Sequence, residues 1–82
     1  METRDFGWAL RQLHSGRRIC RDGGNGKGLW LGLVKAGEWT FTNGQWDNYP
    51  CAPFIAIKSA DSRIVPWLAS QTDILATDWA VM

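Results

Sequence analysis

Two stretches of the sequence have the residue types to hold an anion or a polar ring, and neither has a recognisable bond-breaking group. The first is Asp22-Gly23-Gly24-Asn25-Gly26-Lys27-Gly28. Glycine lets the main chain approach a ligand and take left-handed conformations, so that successive N–H groups point at one phosphate, with Lys27 adding a positive charge. The run lacks the Walker spacing, because Gly28 rather than Ser or Thr follows Lys27, and no Rossmann fingerprint stands between a strand and a helix. A plain hairpin tip is the commoner meaning of such a run.

The second stretch is Ser70-Gln71-Thr72-Asp73, a helix-start pattern whose free N–H groups and positive dipole end suit a phosphate or a ribose oxygen. Asp73 argues partly against an anion there, since its carboxylate can occupy that field as part of the cap. Trp67, three residues before Ser70, can stack on a base or serve as the apolar residue that staples the helix start, and the staple is the more frequent role.

Catalytic chemistry finds little support. His14 is the sole histidine and sits between polar neighbours on a helix flank, and no serine or cysteine has a context that marks a nucleophile. Asp22, Asp47, Asp61, Asp73 and Asp78 are spread over turns and caps, where aspartate bonds to backbone. The chain is therefore expected to bind rather than to catalyse, with no catalytic residue and no cofactor.

The elements that position these stretches belong to a chain of 82 residues, which is expected to form one ligand-binding domain over residues 1–82. At that size stability is marginal without disulfides, metal or oligomerisation. Cys20 and Cys51 allow one bridge at most, the opening METRDF has no apolar signal region, and a reduced cytosolic chain is expected. Two isolated cysteines and His14 do not make a zinc set, so no metal is expected and oligomerisation remains. Six tryptophans, at positions 8, 30, 39, 46, 67 and 79, are too many for so small a core, so some should face a partner subunit or a ligand. Net charge is +1 with acids and bases interspersed, which disfavours duplex nucleic acid. The longest apolar run, residues 29–34, is too short to span a membrane.

An α+β order emerges along the chain, with an N-terminal helix, a small antiparallel sheet of hairpins and a short helix near the C-terminus. Thr3 is placed to N-cap a helix running to about Ser15, with Phe6, Ala9, Leu10 and Leu13 on one face and Gly16 as its stop. Trp8 lies about 200° round that wheel from Phe6, on the polar face, as a candidate for an interface or for folding back on its own chain. Strands are expected at 17–21 and 29–34 around the glycine-rich tip, and at 54–58 and 63–67 around the turn at 59–62, with Pro66 marking an edge. Alternation over 38–42 followed by Asn43-Gly44 predicts a further hairpin pairing Phe41 with Trp46. A helix from Ser70 to about Ala76 and a strand over 78–82 complete the order.

Phe6-Gly7-Trp8-Ala9-Leu10, the block Arg21 to Gly28, and above all Ile64-Val65-Pro66-Trp67-Leu68-Ala69-Ser70-Gln71-Thr72-Asp73 with Asp78-Trp79 resemble a phage and bacterial domain family that includes the second Thoeris anti-defence family. The likeness covers nearly the whole chain, is most specific over residues 65–79 and is weakest over 35–53. It implies a small α+β protomer that assembles as a homotetramer in the bacterial cytosol. Pockets between its subunits would sequester cyclic ADP-ribose-type signals without cleaving them, thereby blocking Thoeris-like immunity. Some members look able to hold cyclic dinucleotides at a separate site. Carried over residue by residue, the resemblance puts the pocket at Asn25, Gly26 and Lys27 and at Trp67 to Asp73, with Phe6 and Trp30 as walls. Aromatic rings would stack, Asn25, Ser70 and Thr72 would hydrogen-bond, and Asp73 would meet a ribose. One departure is Gly24, where members usually carry Trp.

Two readings compete with that one. Relatives of the fold look to have been recruited against CRISPR nucleases, and Trp8, Trp39 or Trp46 would anchor such a protein target. An enzyme cleaving a nucleotide signal is the weaker reading, with Asp73 or Asp78 as its acids.

Overall fold

The computed structural model describes residues 4–22, 28–39 and 44–82. Its first element is a helix because apolar residues recur at helical spacing and both ends are chemically closed. Helix α1 spans Phe6–His14, and the Oδ1 atom of Asp5 accepts the Trp8 N–H at 2.9 Å. Asp5 is therefore the N-cap in place of the expected Thr3, since it stands immediately before the first helical residue. At the other end Gly16 takes φ of 91°, which glycine adopts at no steric cost, and its N–H and that of Arg17 donate to the carbonyls of Leu13 and Gln12. This is a Schellman closure.

Among the described residues, five short strands form one antiparallel sheet. They are β1 (Ile19–Arg21), β2 (Trp30–Val34), β3 (Phe54–Lys58), β4 (Ile64–Pro66) and β5 (Trp79–Val81), in the spatial order β4-β3-β2-β1-β5. A one-turn helix, α2 (Gln71–Ile74), stands between β4 and β5. The expected α+β class is the observed one. Pro66 sits on an edge strand, where its missing N–H costs no ladder bond. No helix among the described residues is long and apolar enough to cross a membrane.

Alternation along the strands divides the sheet into two unlike faces. Leu31 pairs with Ile57 and Leu33 with Ile55, and these residues meet Ala9 and Leu13 of α1, Ile19 of β1 and Trp79 of β5. Ala9, Leu13, Ile19, Leu31 and Trp79 are the buried centre of this layer, with Phe6, Leu10 and Trp67 packed around it. Trp8, set by the wheel among polar residues, is half-buried against the same cluster. The opposite face carries the alternate residues Trp30, Gly32 and Val34 of β2 beside Phe54, Ala56 and Lys58 of β3.

The region between β2 and β3 departs from expectation. Glu38 and Trp39 are not in a strand, while 40–43, including Phe41 and Asn43, lie outside the described residues. Trp46 belongs to a turn over 45–48 instead of a returning strand. The Asp47 carboxylate explains the local choice, since it accepts the Gly44 N–H at 3.2 Å while the Asp47 N–H donates to the Gly44 carbonyl. A side chain that bonds its own neighbouring backbone competes with a ladder.

Candidate functional site

Three aromatic rings close one end of the core layer. Phe6 comes from the first residue of α1, Trp67 from the segment after β4, and Trp79 from the start of β5. Phe6 stands 5.7 Å from Trp67 and 5.5 Å from Trp79 between ring centroids, and the two indoles meet edge to face at 6.2 Å. Trp79 is buried, whereas Phe6 and Trp67 are half-buried. Trp67 is held by its backbone as well, its N–H donating to the Ile55 carbonyl at 2.9 Å. It thus packs as a core residue and retains accessible ring surface.

Beside the rings lies the start of α2. Ser70 is its N-cap, with Oγ accepting the Asp73 N–H at 3.1 Å and donating to Asp73 Oδ2 at 2.9 Å. The Asp73 carbonyl accepts the indole N–H of Trp79 at 3.1 Å. Its carboxylate also takes the Nη1 donor of Arg21 at 2.9 Å, and Nε of the same guanidinium donates to Asp78. The hydrogen bond to Asp78 raises the Arg21 pKa above its ordinary value, with Asp73 adding to the effect against desolvation. Arg4 pairs with Asp22, the residue after Arg21, at 3.1 Å, and the Asp22 N–H donates to the Asp78 carbonyl at 2.7 Å.

Among the described residues, two guanidinium groups therefore face three carboxylates in this corner. Such a balance suits ligand hydroxyl and N–H donors better than a bare phosphate. The first-turn field of α2 is already occupied by Ser70 and Asp73, as the aspartate in the pattern suggested.

Of the residues singled out by sequence, Phe6, Trp67, Ser70 and Asp73 are brought to this corner, linked through Trp79 and Arg21. Thr72 is exposed on α2. Asn25, Gly26 and Lys27 lie outside the described residues, but Asp22, the last described residue before them, is tied to Asp78. Trp30 is elsewhere within the chain, on the opposite face of the sheet from Phe6 and Trp67. There the Arg18 guanidinium lies over its ring at 4.3 Å, and Trp30, Gly32, Trp39, Ala56 and Lys58 line a hollow of about 200 Å³. Alternation along the strand at 29–34 carried this signal, because Trp30 and Leu31 must face opposite ways.

Arg21 and Trp79 were not singled out as site residues. The clue to Arg21 was a cation at the end of a strand leading into the glycine-rich run, with two aspartates far along the chain to pair with. His14 is exposed at the end of α1, Cys20 and Cys51 are free thiols, and no group of three potential metal ligands exists among the described residues.

A family model for the Thoeris anti-defense 2-like domain matches residues 4–82 of this chain. A protein of Bacillus phage SP01 described as "Thoeris anti-defense 2" is 40% identical over 88 aligned positions, which cover 100% of this chain and 99% of the phage protein.

Proposed function

The chain belongs to the Thoeris anti-defense 2-like family, and from that premise we propose that it is a phage-type anti-defence protein that sequesters a cyclic ADP-ribose-type signal. The protein captures the signal in the host bacterial cytosol, holds it without cleaving it and so blocks Thoeris-like immunity. The observation that carries this reading is the corner where the half-buried rings of Phe6 and Trp67 adjoin Ser70 and Asp73, offering a stacking surface beside fixed hydrogen-bond groups.

In this reading Phe6 and Trp67 stack on the base. Ser70, Thr72 and Asp73 take the ribose hydroxyls, and Asn25, Gly26 and Lys27 hold the phosphates that the acid-rich corner disfavours. The protomers assemble as a homotetramer, and Leu68 and Leu75, 92% and 75% exposed on either side of α2, supply apolar surface for that assembly. Trp30 joins a pocket only across a subunit boundary, from the opposite sheet face. A cyclic dinucleotide would occupy a separate site.

The test is to incubate the purified protein with a panel of cyclic ADP-ribose isomers and cyclic dinucleotides, remove free ligand by filtration, denature the protein and identify what is released by mass spectrometry. Intact cyclic ADP-ribose recovered near one per pair of protomers supports sequestration. A linear product means an enzyme instead. A second reading, inhibition of a defence nuclease by direct binding, is favoured by the exposure of Trp46 and Tyr49, and it takes over if nothing is retained.

A further inference from the structure

Helix α2 is four residues long and none of them is buried, so neither helical cooperativity nor core packing fixes its place. Yet it carries Asp73. What fixes it instead comes from the neighbouring strands. Arg21 ends β1, an inner strand of the sheet flanked by β2 and β5, and it pairs across the ladder with Trp79. Its guanidinium lies 5.7 Å from the Trp79 ring centroid and forks to two carboxylates, Asp73 in α2 and Asp78 immediately before β5. The Trp79 indole N–H then donates to the Asp73 carbonyl.

The fork does two things that a single ion pair would not. It separates two like-charged carboxylates that face one cation, and it sets the orientation of Asp73 so that Oδ1 is committed to Arg21 while Oδ2 meets Ser70. The acceptor is thus oriented before any ligand arrives, and the ordering cost of capture is reduced. A lysine ammonium is a point charge with no planar fork and cannot span both acids in the same geometry.

We infer that Arg21 is a positioning residue for the capture site, holding Asp73 and the one-turn helix α2 in the ligand-ready arrangement through its fork to Asp73 and Asp78. The inference rests on the sequestration reading for its effect on affinity, but not for its effect on α2 itself.

Two measurements on the full chain keep these apart. The first is amide hydrogen exchange in the ligand-free protein. R21A and R21K both lose protection at the Asp73 and Ile74 amides, by about tenfold or more, while the amides of β2 and β3 keep theirs. The second is calorimetric titration with the tightest-held cyclic ADP-ribose isomer of the panel, for wild type, R21A, R21K, D73N and the R21A/D73N pair. R21A and R21K each weaken binding about tenfold or more, and the double variant binds within about twofold of D73N alone, because Arg21 acts through Asp73.

A purely structural role makes the losses additive, and that result overturns the inference. So does wild-type protection at Asp73 and Ile74 in both Arg21 variants. Should wild type hold no isomer, the sequestration reading falls, and the exchange data alone decide whether Arg21 positions α2. R21K covers the case in which R21A fails to fold, since it keeps the charge and removes only the fork.

Discussion

The indole N–H of Trp79 donates to the carbonyl oxygen of Asp73 across 3.1 Å, tying the one-turn helix to the edge strand β5. The same indole is 2% exposed and forms part of the buried centre of the core. Trp79→Phe keeps most of the ring volume but leaves the Asp73 carbonyl without this donor. The expected cost is about 1–3 kcal/mol, read as a lower urea midpoint with an unchanged slope. A variant as stable as wild type would mean that the bond contributes nothing to the folded state.

Ser70 caps α2 by accepting the Asp73 N–H and donating to the Asp73 carboxylate. Ser70→Ala removes both bonds and is expected to destabilise the protein by about 1 kcal/mol. Ser70→Asp restores an acceptor but sets a second carboxylate against Asp73, so it recovers only part of the loss. Equal stability of the three proteins in chemical denaturation would rule the cap out as a contributor.

Gly32 lies beneath the Trp30 ring, and a Cβ built there stands 3.2 Å from Cζ3. The ring is half-buried beside an open hollow, so it can give way. Gly32→Ala is expected to shift Trp30 away from Arg18 and change the tryptophan emission, with stability within about 1 kcal/mol of wild type. The gain in strand propensity offsets the displaced contact. Gly32→Val pushes further and costs about 1–3 kcal/mol. Unchanged emission in both variants would contradict the packing of Trp30 over Gly32.

The pKa of Arg21 is raised above its ordinary value, chiefly by the hydrogen bond to Asp78. A cation whose folded pKa is raised contributes stability fully below the ordinary value and loses it only as pH climbs through the raised one. Between roughly pH 7 and pH 10 this contribution is therefore constant. The stability gap between wild type and Arg21→Met should agree within about 0.5 kcal/mol at both ends of that window. A gap that shrinks steadily toward pH 10 would mean that the guanidinium is not the group responsible.

The parts of the fold that were legible in sequence are those set by local chemistry. Residues 54–58 form a strand within those bounds because Phe54 to Lys58 is an apolar run closed by turns, and Gly16 and Ser70 end and begin helices by backbone needs that few residues meet. The Asn43-Gly44 signal misled for Trp46 because Asp47 can satisfy the Gly44 amide without a strand partner. Asp5 displaced Thr3 as cap because helix starts are settled within a residue or two by whichever side chain reaches the open amides. Of the candidate corner, Phe6, Trp67, Ser70 and Asp73 came from resemblance and from capping chemistry. Arg21 escaped notice because its partners are 52 and 57 residues away, and no spacing rule links positions so distant.

On the sequestration reading, Gly24 offers a gain of binding instead of a loss. It follows Asp22 by two residues in the sequence, and the Asp22 N–H is fixed to the Asp78 carbonyl at 2.7 Å, in the corner that holds Arg21, Asp73 and Trp79. A base-stacking indole is worth about 1–3 kcal/mol, and each 1.4 kcal/mol is about tenfold in affinity. Gly24→Trp is therefore expected to tighten capture of a cyclic ADP-ribose isomer by about tenfold in competition titrations, with the gain expressed mainly in slower release. Gly24→Leu adds bulk and apolar surface without a π face and should recover little of it. If Trp and Leu act alike, stacking is not what position 24 supplies. If both weaken capture, the glycine is needed where it is, for a backbone approach to the ligand that a side chain obstructs.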